Sequence, residues 1–380
     1  MRPSASIVKP ILFLDLALLF AIVPLLPAYQ SSFGLSKTQV GLVVAAYSAT
    51  VVVAAVPVGH LADRIGAHRM TVFGVWLLAA STLGFGLAGG FWTLTLARAG
   101  QGLSSSISWS AGLAWLSHTT PHERRGRAMG TAMAYASSGG LLGPVFGGSL
   151  GHSYGIRSTF IVLAAAAAVL ALLAAAAPAA GHPQVEQLSI RAAVRRALGR
   201  GPLLTAVVIS VLVAVVSGTL ETLVPLRLGV DGYSVLAITA VLTAAGVLGV
   251  ITNWTVGRLY DRLGGIPIAI AAILGSAVCL ALLAGAGSGE AVAAIYVISA
   301  PFISSQYAVQ FPMAADGADH AAIGQSSAFG MLNLSWGLGF VIGPAAGAAL
   351  ASLTADWVTY ALLLALSLLV AARLNRLALA

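Results

Sequence analysis

Long apolar segments alternate with short polar ones along almost the whole chain. Each apolar segment holds about 20 residues, enough for a helix to cross the roughly 30 Å of hydrocarbon in a bilayer. Backbone groups in hydrocarbon find no water, so such segments must be helical. The pattern predicts twelve membrane spans, at approximately 8–29, 38–61, 70–88, 92–117, 127–150, 158–178, 202–228, 234–257, 266–287, 290–313, 323–350 and 356–375. We therefore predict an all-α membrane protein.

Composition strengthens this prediction and excludes several classes of protein. The chain is 59% hydrophobic and only 8% charged, with a mean hydropathy of +0.95, too little charge for the surface of a soluble protein. The alternating short strands of a membrane barrel are absent from the pattern. The single cysteine, Cys279, cannot form a disulfide within the chain. The sequence contains no metal-ligand cluster, phosphate-binding loop or nucleophile–base arrangement, so we expect no metal, no cofactor and no enzymatic activity.

The positive charges predict the orientation of the chain. The net charge is +8, and all the Lys and Arg residues except Lys37, Arg98, Arg157 and Arg227 fall in segments on one side of the membrane. Loops rich in Lys and Arg stay in the cytoplasm, so both termini should be cytoplasmic, in an inner or plasma membrane. Basic residues in alternate loops do not form the continuous face that nucleic acid requires. The first span is expected to be retained, because no convincing cleavage site follows it.

A spaced glycine pattern occurs twice, 200 positions apart. The first copy, the glycine motif, consists of Gly130, Gly139, Gly143, Pro144, Gly147 and Gly148; the second has Gly330, Gly339, Gly343, Pro344, Gly347 and Ala348. Glycines at four-residue spacing give a smooth helix face for close packing, and proline favours a bend. A duplicated glycine- and proline-interrupted helix indicates a transporter with two similar halves.

A second repeat supports the duplication. The segment 59–66, Gly-His-Leu-Ala-Asp-Arg-Ile-Gly, matches 257–264, Gly-Arg-Leu-Tyr-Asp-Arg-Leu-Gly. Two separate repeats at nearly the same offset predict two pseudo-symmetric six-helix bundles, residues 1–178 and 202–380. Residues 179–201 would be a cytoplasmic linker, in which 189–198 could form an amphipathic helix on the membrane surface. A plain basic linker is the alternative.

The first of these loops is a candidate cytoplasmic latch that breaks when the halves move. Its members are Gly59, Asp63, Arg64, Gly66 and Arg69. The alternative is a tight turn with basic anchors. The loop resembles the loop 2–3 signature of the major facilitator superfamily, although only part of the usual basic pair is kept in Ala67-His68-Arg69.

Three charged residues within spans are candidates for proton coupling or charge recognition. Arg98 belongs to Arg98-Ala99-Gly100-Gln101-Gly102, which resembles a superfamily motif whose arginine is assigned to proton transfer in antiporters. Asp15 and Glu221 are carboxylates in the first and seventh spans, and such residues in membranes are usually functional. Arg98 could instead be a structural partner of helix carbonyls. Asp15 could be an interfacial acid, and Glu221 an outer-edge residue near Arg227.

Together these motifs resemble the twelve-helix drug:proton antiporter branch of that superfamily, which includes vesicular monoamine transporters. The glycine motif resembles the fifth-helix signature of that branch. The amine carriers usually have a lysine in helix 2 and an acid in helix 11, where this chain has Tyr47 and Asn333. This difference leaves amine specificity and the number of coupled protons open.

A set of polar and aromatic residues could line an adaptable pocket, because aromatic faces attract organic cations. Each residue could equally serve packing. The candidates are Tyr47, Ser105, Trp109, Asn253, Gln306, Tyr307, Asn333 and Trp336.

The resemblance implies secondary active export of hydrophobic or cationic small molecules in exchange for protons. The halves would rock in alternating access, and the chain would function as a monomer in the lipid bilayer. Two alternatives remain open. One is a proton-coupled importer of a sugar or another metabolite with the same fold, and the other is a transport-silent membrane sensor.

Overall fold

The computed structural model describes residues 5–121, 124–178, 201–321 and 325–379, and helices make up almost all of this part. The helices are α1 Val8–Ala21, α2 Leu26–Phe33, α3 Lys37–Ile65, α4 Ala67–Gly86, α5 Phe91–Ile107, α6 Leu113–Thr119, α7 Arg125–Tyr154, α8 Ile156–Ala175, α9 Gly201–Val230, α10 Val235–Leu263, α11 Gly265–Ala284, α12 Gly289–Ala321, α13 Gln325–Leu353 and α14 Asp356–Leu379.

Two of the predicted spans are interrupted helices. A 3₁₀ turn, Val23–Leu25, separates α1 from α2. It contains Pro24, which has no N–H to continue the α-helix. A π-helical turn, Ser108–Gly112, separates α5 from α6. With these interruptions, every predicted span corresponds to a helical segment of the described chain. In the part of the chain that the structure describes, ten segments are long and apolar enough to cross a membrane. The prediction of an all-α membrane fold is confirmed.

The chain divides into two compact units. Unit 1 comprises the described parts of 1–35, 42–185 and 234–240, and unit 2 those of 36–41, 186–233 and 241–380. The first turn of α3 thus belongs to unit 2, and the first turns of α10 belong to unit 1. The two six-helix bundles predicted from the sequence, residues 1–178 and 202–380, stay a prediction. The predicted linker, including its possible amphipathic helix, lies outside the described residues over 179–200.

The glycine motif brings two backbones of unit 1 into contact. A Cβ atom added to Gly143 would lie 2.6 Å from the carbonyl oxygen of Ala17, and atoms added to Gly139 and Gly147 would collide with the carbonyls of Phe13 and Ala21. Helices α1 and α7 therefore touch along three consecutive turns, because residues four apart share a helix face. This is the close packing that the glycine spacing predicts.

Unit 2 repeats this packing with the second copy of the pattern. A Cβ atom added to Gly339 or Gly343 would lie 2.7 or 2.5 Å from the carbonyl oxygen of Val211 or Val215, and one added to Gly347 would lie 2.8 Å from Cγ2 of Thr219. Helix α13 therefore packs on α9 as α7 packs on α1. The duplication seen in the sequence is a duplication of helix contacts.

The second repeat forms two equivalent tight turns. Gly66 and Gly264 have φ angles of +101° and +74°. Only glycine adopts this region readily, because other residues would place Cβ against the backbone. Each turn reverses the chain between two long helices, α3 and α4 in one copy and α10 and α11 in the other.

The exchanged helix ends are held by matching contacts. In unit 1, a Cβ atom added to Gly148 of α7 would lie 2.8 Å from Cβ of Thr239 on α10. In unit 2, one added to Gly41 of α3 would lie 2.6 Å from Cβ of Ala348 on α13. Lys37 also pairs with Asp356 at 2.6 Å, which fastens the beginning of α3 to α14.

Candidate functional site

The carboxylate of Asp15 is fully buried in unit 1 and surrounded by neutral donors. The Ser105 hydroxyl donates to it over 2.7 Å and the Trp109 indole N–H over 2.9 Å. The Tyr47 hydroxyl lies 3.2 Å from both carboxylate oxygens. Within the described part of the chain no cation forms an ion pair with this carboxylate. The side chain faces the interior of the bundle, and both the coupling role and the alternative of an interfacial acid stay predictions.

The π-helical turn explains how Trp109 reaches this carboxylate. Ser105 lies in the last turn of α5, and Trp109 follows inside the turn Ser108–Gly112. Such a turn shifts the direction of the side chains within it, and π-turns often mark functional sites. No signal in the sequence indicates this turn, because an apolar segment of small residues has the same pattern with or without it.

Arg98 is also buried, with 1% of its surface exposed. It donates to the carbonyls of Leu18 and Leu19 over 3.4 and 3.2 Å and to Oε1 of Gln101 over 3.0 Å. These two carbonyls belong to the last turn of α1. Carbonyl groups at the end of a helix have no intrahelical N–H partner and carry partial negative charge. Arg98 thus makes the contacts expected of a structural arginine, although its Nε has no partner among the described residues.

Glu221 lies on α9 in unit 2, in surroundings that differ from those of Asp15. Its side chain is partly buried, and no hydrogen bond or ion pair to it is found in the described residues. The nearby cation Arg227 pairs instead with Asp231 at 2.9 Å. Tyr296 and Tyr307 of α12 lie within electrostatic range of the carboxylate. Among the described residues, Glu221 therefore has no hydrogen-bond or ion-pair partner, and two tyrosines lie within electrostatic range of it.

Two predicted pocket residues meet near Glu221. The Tyr307 hydroxyl shares a 2.8 Å hydrogen bond with the Ser217 hydroxyl and accepts one from Trp336. Trp336 also stacks on Phe340, with 4.9 Å between ring centroids. Sequence reasoning did not single out Ser217 or Tyr296, because serine and tyrosine occur throughout the apolar segments.

The other predicted pocket residues of unit 2 do not join this cluster. Gln306 turns toward α11 and donates to the Ser276 hydroxyl over 3.1 Å, and its Oε1 is buried without a partner in the described residues. Asn253 and Asn333 are exposed. The eight candidates therefore divide between the two units, with Tyr47, Ser105 and Trp109 around Asp15.

The chain's relationship to known proteins follows from a family comparison. The sequence model of the Major Facilitator Superfamily matches residues 10–327. The chain belongs to this superfamily. Its members are transporters, and the chain is an integral membrane protein. The resemblance stated from the sequence motifs is thereby confirmed.

Relatives and solved structures of the superfamily extend this result. The vesicular acetylcholine transporter of Rattus norvegicus is 39% identical over 108 residues, which are 28% of this chain and 20% of that protein. The multidrug resistance protein Stp of Mycobacterium tuberculosis is 36% identical over 138 residues, 36% of this chain and 26% of that protein. The chain spans about a quarter or less of the length of these two relatives. A crystal structure of the nucleoside transporter NupG has a TM-score of 0.79 at 13% identity, covering 98% of this chain and 99% of that chain.

The proposed superfamily latch is only partly described. Gly66 forms the turn, and Arg64 and Arg69 are exposed. The surroundings of Gly59 and of the Asp63 side chain lie outside the described residues, as do those of Gly130 in the glycine motif. The latch stays a prediction.

Proposed function

We propose that this chain is a proton-coupled antiporter that exports hydrophobic or cationic small molecules. The observation that carries the proposal is the buried Asp15 carboxylate, which is held by three neutral donors and by no ion pair in the described residues. A carboxylate in the membrane interior is costly, so it is most often kept for function. An acid without a cationic partner is available to a proton or to a cationic substrate.

Three further features support this proposal. Glu221 supplies a second acid without a described partner, and Tyr296 and Tyr307, whose rings could attract an organic cation, lie within electrostatic range of it. Both glycine stripes pack helix on helix without intervening side chains, which suits the movement of rigid helices in alternating access. The names of the acetylcholine and multidrug resistance relatives also favour cationic or drug-like substrates.

Transport by purified protein in liposomes tests this proposal. With a pH-sensitive dye in the lumen, we expect addition of acetylcholine or ethidium to drive protons in the direction opposite to substrate movement. Glucose serves as a neutral probe, and protein-free liposomes as the control. Proton movement in the same direction as glucose would instead establish the importer. Ligand binding without any flux would establish the sensor.

We also propose that both termini face the cytoplasm, on the basis of the positive charge asymmetry. Single cysteines at Leu353 and Leu263, both exposed at helix ends, test the orientation in a Cys279→Ser background. An impermeant maleimide added to intact cells should label position 353, and position 263 should react only after permeabilisation. The reverse labelling pattern would show the opposite orientation.

A further inference from the structure

Tyr47 occupies a fixed position between the two charged residues of unit 1. Its side chain is 1% exposed. The backbone is held as well, because an atom added to Gly102 of α5 would collide with the Tyr47 carbonyl oxygen. Helices α3 and α5 therefore touch at this residue. The Tyr47 side chain therefore has fixed neighbours, and its role as a pocket residue stays a prediction.

The two ends of the tyrosine contact opposite charges. Its hydroxyl lies 3.2 Å from each oxygen of Asp15, so its single proton is shared between them. Its ring faces Arg98, whose Cζ lies 5.1 Å from the ring centroid. That distance is within the range of a cation–π interaction. The acid and the guanidinium form no ion pair with each other, although each contacts the same phenol.

We propose that Tyr47 is a positioning residue that links Asp15 to Arg98 in place of a direct ion pair. The proposal rests on the proposed antiport function, since it concerns how the coupling carboxylate is controlled. A direct ion pair would neutralise the carboxylate and compete with a proton or a cationic substrate. The phenol instead orients the carboxylate and shields the guanidinium while leaving the acid without a bound cation. Among the described residues, the titratable groups that interact with this cluster are Asp15 on α1, Tyr29 on α2 and Arg98 on α5.

The variant Tyr47→Phe separates the two contacts. It keeps the ring against Arg98 and removes only the hydroxyl bonded to Asp15. We expect kcat for acetylcholine-driven proton exchange in liposomes to fall about tenfold, the scale of one lost hydrogen bond to a charged group. The substrate KM should change less than about twofold, because the buried hydroxyl is bonded to Asp15 and a positioning residue acts through that carboxylate. The pH at which the rate is half-maximal should also change. A purely structural defect would lower the rate by the same factor at every pH and leave that pH unchanged.

Tyr154→Phe is the matched control, because Tyr154 is 69% exposed at the end of α7. It should match the wild type in rate and pH profile. A Tyr47→Leu variant, which also loses the ring, should be slower than Tyr47→Phe. Size-exclusion profiles and thermal midpoints identify any folding defect. If the wild type exchanges protons and folded Tyr47→Phe behaves like Tyr154→Phe, the positioning role is wrong. If the wild type itself exchanges no protons, it is the proposed antiport function that fails.

Discussion

Asn in place of Asp15 is expected to abolish pH-gradient-driven export, and Gln in place of Glu221 is expected to do the same. The amide keeps the approximate size of the side chain but cannot carry a titrating charge. A proton-transferring group typically contributes about 10²–10⁴-fold to a rate, so export should fall to about 1% or less of the wild-type rate. Substrate binding can persist in these variants. Cationic substrates should be affected more than neutral ones if the same carboxylate recognises charge.

Substrate-induced proton release from purified protein at fixed pH measures this coupling directly. The matched control is Glu290→Gln, which neutralises an exposed acid outside both clusters and should behave like the wild type. Normal proton release and export by the Asp15→Asn/Glu221→Gln double variant would show that coupling lies elsewhere. The next acid to test would then be Asp316, which accepts a 2.8 Å hydrogen bond from Tyr260.

Replacement of Gly143 by Leu should stop transport while membrane insertion continues. A Cβ atom at this position would already lie 2.6 Å from the Ala17 carbonyl oxygen, so α1 and α7 would have to separate. Overpacking of this kind costs about 1–3 kcal/mol and disturbs the one helix pair that carries Asp15. We expect a loss of export of at least about tenfold, with a lower thermal midpoint. Pro144→Leu should also impair export, because the chain would lose the bend that a proline inside a helix is expected to favour.

Gly84→Leu is the control for Gly143→Leu, because both add the same side chain to a glycine in a membrane helix. An added Cβ atom at Gly84 meets nothing within 4 Å, so this variant should export normally. Export and surface expression should be measured on the same cells. Near-normal export by a well-expressed Gly143→Leu variant would contradict the conformational role of the stripe.

The sequence predicted the scaffold better than the chemistry. Spans follow from apolar length, and the two glycine stripes follow from spacing, because both depend on positions along one helix. The π-turn at Ser108–Gly112 and the interruption after α1 alter helices locally without changing that pattern. Only the interruption after α1 has a cause that can be read from the sequence, because Pro24 lies within the 3₁₀ turn.

The site was harder to predict because its contacts join distant segments. Ser105 and Asp15 are 90 positions apart, and no spacing rule connects them. Helices that are apolar on all sides also give no clue to which face is buried. For this reason the sequence does not distinguish Gln306 from Asn333 as candidate pocket residues. Gln306 is buried against α11, whereas Asn333 is exposed. Asp15 and Glu221 were found because any acid stands out in an apolar span.

The contacts at the exchanged helix ends place one glycine opposite one larger residue, with the roles reversed between the copies. Gly148 faces Thr239 in unit 1, whereas Ala348, which corresponds to Gly148 in the repeat, faces Gly41 in unit 2. The two contacts differ in what an added side chain would meet. At Gly41 an added Cβ atom would also collide with the carbonyl of Pro344, whereas at Gly148 the nearest atoms all belong to the Thr239 side chain. Among related chains, a larger residue at position 148 is therefore expected to be accompanied by a smaller one at position 239. Position 41 is expected to stay glycine whatever residue stands at position 348.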